Sequence, residues 1–414
     1  MSDKERAKPM SGPKRVVLAY SGGLDTSVAV KWIGDEWGAE VIALAADVGQ
    51  GGDFEAIRER AFAAGAVDAK VVDLRAEFAD DYFLPALRAN ALYEGKYPLV
   101  SALSRPVIAK HLVIAAREFG ADAVAHGCTG KGNDQVRFEV GVRALAPDLE
   151  VLAPVRVWGM TRDDCIAYAA EHDIPIAQSK AKPYSIDDNL VGRAIECGEM
   201  EDPWARPPAD IWELTADVAD APTERRDVVV AFEGGVPVSV DGKALPLHEL
   251  VEAMTRAAGA YGYGRLDMVE NRRVGIKSRE TYEAPGALAL ITAHQDLESI
   301  TVERDLMREK ARLEPRYAEL VYDGLWFSPL RRALDAFVDA SQEFVTGEVR
   351  LTLEPGRCYP SGRRAEKGLY DYELATYDAA DAFRHEDAAG FVRLWGLSVE
   401  TVARRQGGLA KDGQ

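Results

Sequence analysis

The chain has 414 residues, is poor in cysteine and in positive charge, and lacks a long apolar run. Its four cysteines, Cys128, Cys165, Cys197 and Cys358, stand far apart, and no Cys-x-x-Cys pair occurs. That spacing argues against a zinc ribbon or a dithiol site and suits a reducing cytosol. Lysine and arginine number 50 against 68 aspartates and glutamates, a net charge of −18. General binding to nucleic acid or to an anionic membrane needs a basic face, so neither is expected as a partner. No run approaches ~18 apolar residues, so no transmembrane helix is expected. Met1–Pro13 is polar, without the apolar core of a signal peptide. A cytoplasmic protein is the expectation. No internal repeat is visible.

What is present is a globular composition, 47% hydrophobic, in a chain long enough for two domains. Apolar runs at 15–20, 40–46, 69–74, 122–126 and 150–153 alternate with helical patterns near 25–37, 54–65, 76–93, 104–119 and 161–172. Strands that are apolar throughout imply a parallel sheet covered on both faces. The alternation implies a doubly wound α/β domain, with its ligand beyond the carboxyl ends of the strands. A proline-rich, acidic stretch over about 198–226 reads as a linker. After it come short strands at 228–232 and 236–240, helices near 246–259, 285–309 and 316–345, and strands at 348–353 and 369–374, a separate α+β pattern. The expected organisation is a disordered tail (1–13), a nucleotide-binding domain (14–178), a substrate domain (179–385) and a C-terminal helical arm (386–414).

Two loops carry chemistry. Ala19-Tyr-Ser-Gly-Gly-Leu-Asp-Thr-Ser27 follows the first apolar run directly. Its glycines lack Cβ, so backbone N–H groups can close on a phosphate. The helix starting near Asp25 turns its positive end to the same place. The loop reads as a polyanion cradle, and the chain as a nucleotide user. The second stretch, His126-Gly-Cys-Thr-Gly-Lys-Gly-Asn-Asp-Gln-Val-Arg-Phe-Glu139, fails the Walker A pattern. Gly127 precedes Gly130 by three positions, and Gly132 follows Lys131 where Ser or Thr is required. Lys131, Thr129, Asn133, Asp134 and Arg137 together suit a small zwitterionic substrate beside a nucleotide, and Lys131 is assigned to phosphate.

Ser21–Ser27 resembles the pyrophosphate loop of N-type ATP pyrophosphatases. Together with His126–Glu139, Ala91–Pro98, Lys182–Leu190, Val269–Arg272, Lys277–Tyr282 and Ala318–Tyr322, it resembles the argininosuccinate synthase family over about residues 15–400. The resemblance implies attack of the citrulline ureido oxygen on the α-phosphorus of ATP. Pyrophosphate leaves, and the amine of aspartate then displaces AMP. No enzyme nucleophile is required, and Ser21, Asp25 and Lys131 would serve positioning. Ala19, Tyr20, Ser21, Gly22, Gly23, Leu24, Asp25, Thr26, Ser27, Ala46 and Gly127 would hold ATP, accompanied by Mg²⁺ whose ligands are left open. Tyr97, Ser101, Ala102, Asn133, Arg137, Ser185, Ala194, Glu270 and Tyr282 would face citrulline, with Glu270 on its ammonium. Thr129, Asn133 and Asp134 would face aspartate.

The resemblance also implies a homotetramer, and the Ser398–Arg405 helix suits an arm laid on a neighbouring subunit. Two positions depart from the family pattern. Ala102 replaces a hydroxyl residue and Ala194 replaces a serine, each a lost hydrogen bond of about 1 kcal/mol. Rival readings are another pyrophosphatase-loop enzyme (a tRNA thiolase or an amidotransferase synthetase) and a nucleotide-binding regulator without turnover. The scattered cysteines, the charge of −18 and the missing glutamine-amidotransferase nucleophile motifs speak against the first. The polar cluster at 129–137 speaks against the second.

Overall fold

The computed structural model describes residues 12–175, 184–378 and 381–407. The expected tail to residue 11, and Lys182 and Pro183, lie outside them. The chain divides into two compact units, the first ending at Lys367 and the second starting at Gly368. Among the described residues, fourteen strands form three sheets, all in the first unit.

The first sheet contains β1 (Arg15–Ala19), β2 (Glu40–Asp47), β3 (Asp68–Asp73), β4 (Ala123–Ala125) and β5 (Glu150–Leu152), all parallel, in the order β3-β2-β1-β4-β5. Period-two alternation divides its residues between two cores. Val16, Leu18, Val41 and Ala43 pack on Val28 and Ile33 of the helix Leu24–Trp37 and on Cys165 and Ala169 of the helix Arg162–Glu171. Val17, Ile42 and Leu44 pack on Ala109 and Leu112 of the helix Val100–Phe119 and on Phe138 and Val142 of the helix Asp134–Leu145. Both faces are covered, which is why the strands are apolar throughout. The strand order reverses between β1 and β4, so the loops after these strands open on the crevice where α/β sheets bind ligands.

The second sheet is antiparallel, in the order β6-β7-β12-β11, and comprises β6 (Ser185–Asn189), β7 (Gly192–Glu196), β11 (Arg265–Asn271) and β12 (Lys277–Glu283). The third contains β8 (Arg226–Glu233), β9 (Val236–Val240), β10 (Lys243–Ala244), β13 (Gly347–Glu354) and β14 (Arg357–Arg364). Val228, Val230, Phe232, Val349 and Leu351 of the third sheet pack on Leu250 and Met254 of the helix Leu247–Gly259 and on Leu290 and Leu297 of the helix Pro285–Thr301. The same core continues through Tyr97, Leu103 and Val107, which belong to the first half of the chain.

The structure corrects several expectations. The stretch expected to be a linker is, over residues 198–216, a cover for one face of the second sheet. Met200 and Ile211 bury against Ile195. The carboxylate of Glu283, fully buried, accepts from the backbone N–H groups of Glu213, Leu214 and Thr215 at 2.9–3.0 Å, from Thr215 Oγ1 at 2.6 Å and from Arg193 at 3.0 Å. Ser185 begins the strand β6. The strand expected at 369–374 is instead β14. Asp371 caps a short helical turn by accepting from Glu373 N at 2.9 Å, and Pro360 and Gly362 disguised the true edge strand. The helical region 285–345 breaks where Glu303 and Ser328 cap new helices, Arg304–Tyr322 and Pro329–Ser341. Pro315 lies inside the first of these and does not start it. The helix expected at 104–119 begins at Val100, and the one expected at 76–93 carries a π-helical turn over Phe78–Phe83 and ends at Arg88.

In the second unit, the helices His385–Trp395 and Leu397–Gln406 bury none of their residues. Phe391 stacks on Trp395, and Leu394 and Val399 are exposed.

Glu283→Ala would deprive Arg193, three backbone N–H groups and a hydroxyl of their acceptor. A loss of about 3 kcal/mol in urea unfolding is expected, with faster proteolysis within 211–216. A loss below about 1 kcal/mol would contradict the clamp.

Candidate active site

β1 delivers the first loop. The Tyr20 N–H donates to Leu44 O at 2.9 Å, holding the chain against β2 as it leaves the sheet. Gly22 then takes φ +75°, a conformation that favours glycine, with Ile57 and Arg60 packed close to it. Inside the loop, Tyr20 Oη meets Ser27 Oγ at 3.0 Å, and Ser21 Oγ meets Thr26 Oγ1 at 3.1 Å. Gly23 is the N-cap of the helix Leu24–Trp37 and supplies no side-chain cap. The first-turn N–H groups therefore lack an internal side-chain acceptor, as an anion site requires. Burial raises the Asp25 carboxyl above its ordinary value, with Arg162 opposing the shift. Ala46 is the penultimate residue of β2, its carbonyl accepting from Gln50 Nε2 at 2.7 Å.

β4 delivers the second loop to the same edge. A Cβ on Gly127 would stand 3.0 Å from Thr26 Cγ2, so the two loops touch and a side chain here would press on Thr26. His126 is buried against Phe138. Thr129 and Lys131 are exposed. Asp134 opens the next helix between two guanidinium groups, Arg105 at 2.7 Å and Arg137 at 2.8 Å. Burial alone would raise its pKa, but the attraction of Arg105 and Arg137 prevails and lowers it to about 2. Arg105 also bonds Asp187 on β6 at 2.7 Å.

The second sheet presents the opposite wall. Its registers align Asp187 with Ala194, Ala194 with Tyr282, and Tyr282 with Leu266. Period-two alternation then places Ser185, Asp187, Ala194, Glu196, Tyr282, Glu280 and Glu270 on one face. Glu283 and Thr281 take the other, under the 198–216 cover. Tyr97 stacks on Tyr282 at 4.2 Å, and Tyr93 stacks on Tyr322 at 3.6 Å. Burial, first of all, pushes the Tyr97, Tyr282 and Tyr322 phenols far above their ordinary value, so they remain protonated.

One hydrogen-bonded chain joins the walls. Tyr322 donates to Glu270 Oε1 at 2.7 Å and accepts from Asn133 Nδ2 at 2.8 Å, and Asn133 Oδ1 accepts from Arg273 N at 3.0 Å. Arg137 donates through Nε to Tyr322 O at 3.0 Å and lies over the Tyr322 ring. Burial, reinforced by Glu280, pushes Glu270 up to about 8.

The residues expected from sequence thus fall into three groups. Ala19–Ser27, Ala46 and Gly127 share the crevice edge. Asn133, Asp134, Arg137, Tyr97, Glu270 and Tyr282 join through the contacts above. Ser185 and Ala194 lie on the second sheet's inner face, with Ser185 exposed at its edge. Ser101 and Ala102 lie in the first turn of the helix Val100–Phe119. The Ser101 N–H is taken by Tyr97 Oη at 2.9 Å, and Ala102 is fully buried. Sequence reasoning missed Arg105, Asp187 and Glu280 as site residues. Arg105 gave one signal, a lone charge in the mostly apolar stretch Ala102–Ala109. The others become visible only once β6 and β12 are recognised as strands.

A parallel sheet with a phosphate-ready loop at its switch point, facing a wall of carboxylates and phenols, defines a nucleotide-dependent enzyme for a polar substrate. Residues 15–175 match the arginosuccinate synthase N-terminal HUP domain, and residues 184–402 match the arginosuccinate synthase C-terminal domain. The chain belongs to the argininosuccinate synthase family, and is an ATP-dependent carbon–nitrogen ligase that forms AMP. A solved predicted subunit of a tRNA methyltransferase from Methanocaldococcus jannaschii aligns at TM-score 0.27 and 15% identity over 38% of this chain and 76% of that one, a likeness too slight to bear on function.

Two outcomes are expected. Gly127→Ala would push Thr26 aside and raise KM for ATP several-fold, with a melting temperature within about 3 °C of wild type; an unchanged KM would show that the contact does not shape the nucleotide site. Asp134 has a depressed pKa in the folded state. Its contribution is therefore present above the unfolded value near 3.8 and is lost as pH falls through about 2. Acid unfolding curves of Asp134→Asn should be flatter than wild type over that interval, and parallel curves would contradict the ion-pair assignment.

Proposed function

We propose that ATP lies along the first loop, with its β- and γ-phosphates on Ser21–Ser27 and its adenosine beside Ala46. Citrulline lies on the inner face of the second sheet, and aspartate lies between Thr129, Asn133 and Asp134. The observation that carries this reading is the chain Glu270–Tyr322–Asn133. It joins the wall assigned to citrulline to the loop assigned to aspartate through a shared amide, so the two amino acids would meet at Asn133.

In this arrangement the ureido oxygen attacks the α-phosphorus, the bond to the β-phosphate breaks, and pyrophosphate leaves on the loop. The aspartate amine then attacks the activated ureido carbon, and AMP departs. Positioning and charge neutralisation carry such a reaction. Glu270 receives the citrulline ammonium, and Arg137, with Nε and Nη1 already engaged, offers Nη2 to the carboxylate. Asp134 orients the aspartate amine. With a pKa near 2 it is too weak a base to take the amine proton near neutrality.

Among the described residues no group of three or more His, Cys, Asp or Glu side chains is placed to hold a metal ion. Mg²⁺ would therefore enter with the nucleotide, on phosphate and water oxygens. The exposed apolar residues of the helices His385–Trp395 and Leu397–Gln406 support a homotetramer in which this arm packs on a neighbouring subunit. The four unpaired thiols support a cytoplasmic setting. Among the described residues no helix is long and apolar enough to cross a membrane.

Citrulline labelled with ¹⁸O at the ureido oxygen tests the scheme. With ATP, Mg²⁺ and aspartate, the label should appear in AMP, and AMP formation should require both amino acids. Unlabelled AMP, or ADP as product, would overturn it.

A further inference from the structure

The Tyr282 hydroxyl lies 2.9 Å from Glu270 Oε2 and 2.7 Å from Glu280 Oε2. It carries one proton and can donate to only one of them. Were both carboxylates ionised, a phenol lone pair would face a carboxylate lone pair at hydrogen-bond distance inside the protein. A second proton removes that conflict. Its place follows from the neighbours. Glu280 Oε1 pairs with Arg272 at 2.8 Å, and Arg272 also pairs with Glu196. Glu270, 2% exposed, has phenols as its bonded neighbours, Tyr282 on β12 and Tyr322 on the helix Arg304–Tyr322. Arg137 on the helix Asp134–Leu145 faces it but is paired with Asp134. Tyr93 and Tyr97, stacked on Tyr322 and Tyr282, are further neutral phenols near it. The proton therefore sits on Glu270 Oε2 and donates to Tyr282 Oη, which donates onward to Glu280 Oε2.

Resting on the citrulline placement above, we propose that Glu280 is a positioning residue that makes Glu270 hold this proton in the empty enzyme, and that the substrate ammonium displaces it. The O–H bond of the Glu270 carboxyl breaks, the proton passes to solvent, and the carboxylate left behind pairs with the ammonium. Each citrulline bound therefore releases one proton. The raised pKa of Glu270, about 8, sets the range in which this is seen. Below it, each pH unit weakens citrulline binding about tenfold; above it, the dependence flattens.

The test is calorimetric titration of the full chain with citrulline, in the presence of Mg²⁺ and the non-cleavable α,β-methylene analogue of ATP. Phosphate and Tris buffers at about pH 7 differ in ionisation enthalpy, and the difference in heat gives the proton count. Wild type should release about one proton per site, and Kd should rise about tenfold per unit from pH 8 to pH 6. Glu280→Gln should still bind citrulline, with the midpoint of the pH dependence moved about one unit or more towards acid and less proton released at pH 7. A merely structural role for Glu280 would change Kd and leave the midpoint in place. Citrulline binding without proton release, or a midpoint unmoved in Glu280→Gln, overturns the proposal alone. Absence of citrulline binding to wild type overturns the citrulline placement along with it. Even if the variant does not fold, the wild-type proton count and pH slope decide whether Glu270 holds the proton, without which the proposal falls.

Discussion

A carboxylate removed from water must find donors, and the second sheet meets this constraint twice, in opposite ways. Glu283 gathers a guanidinium, three backbone N–H groups and a hydroxyl, and becomes a fixed clamp. Glu270, on the other face, has phenols alone as hydrogen-bonded neighbours. The first carboxylate is saturated and holds the cover in place. The second lacks a bonded cation, which suits a site that must accept one from outside. The tyrosine stacking and the link to Asn133 follow from surrounding Glu270 with hydrogen-bonding partners that carry no charge.

The end of the crevice proposed for phosphate is shaped by its backbone. Gly22 turns the chain, Gly23 leaves the helix N-terminus uncapped, and Gly127 lets the second loop close on Thr26. Side-chain hydroxyls within the first loop bond one another and stiffen it. Between this end and the carboxylate wall stand Arg105, Asp134, Arg137 and Asp187, an alternating row of charge in a chain with a large acidic excess. The cations are placed locally, beside the positions proposed for the substrates' carboxylates and phosphates.

The parallel sheet was legible in the sequence because its central strands β1, β2 and β4 are buried on both faces, and an apolar run is then unambiguous. The loops after β1 and β4 were legible because glycine clusters follow those runs directly. The second sheet was hidden for the opposite reason. Its strands, such as Ser185–Asn189 and Lys277–Glu283, bear charge on both faces, one facing a ligand crevice and the other a buried clamp. No hydrophobic alternation marks them. Glu270 and Tyr282 were found through resemblance, and the row that includes Glu280 and Asp187 through register. Pro360 and Pro315 misled locally, since an edge strand and a long helix each accommodated a residue that usually ends them.

Ala194 shows how this wall tolerates change: it stands opposite both Tyr282 and Asp187, in a row where the family pattern has serine, and the backbone pairing there does not depend on its side chain. Length is another matter. Adding or deleting one residue within β12 would slide its register by one and send Tyr282 and Glu280 under the cover, while Glu283 emerged into the crevice. Side chains in this sheet can drift over evolutionary time, but its spacing is frozen, and insertions in related chains should collect in the turn at 272–276 rather than in either strand beside it.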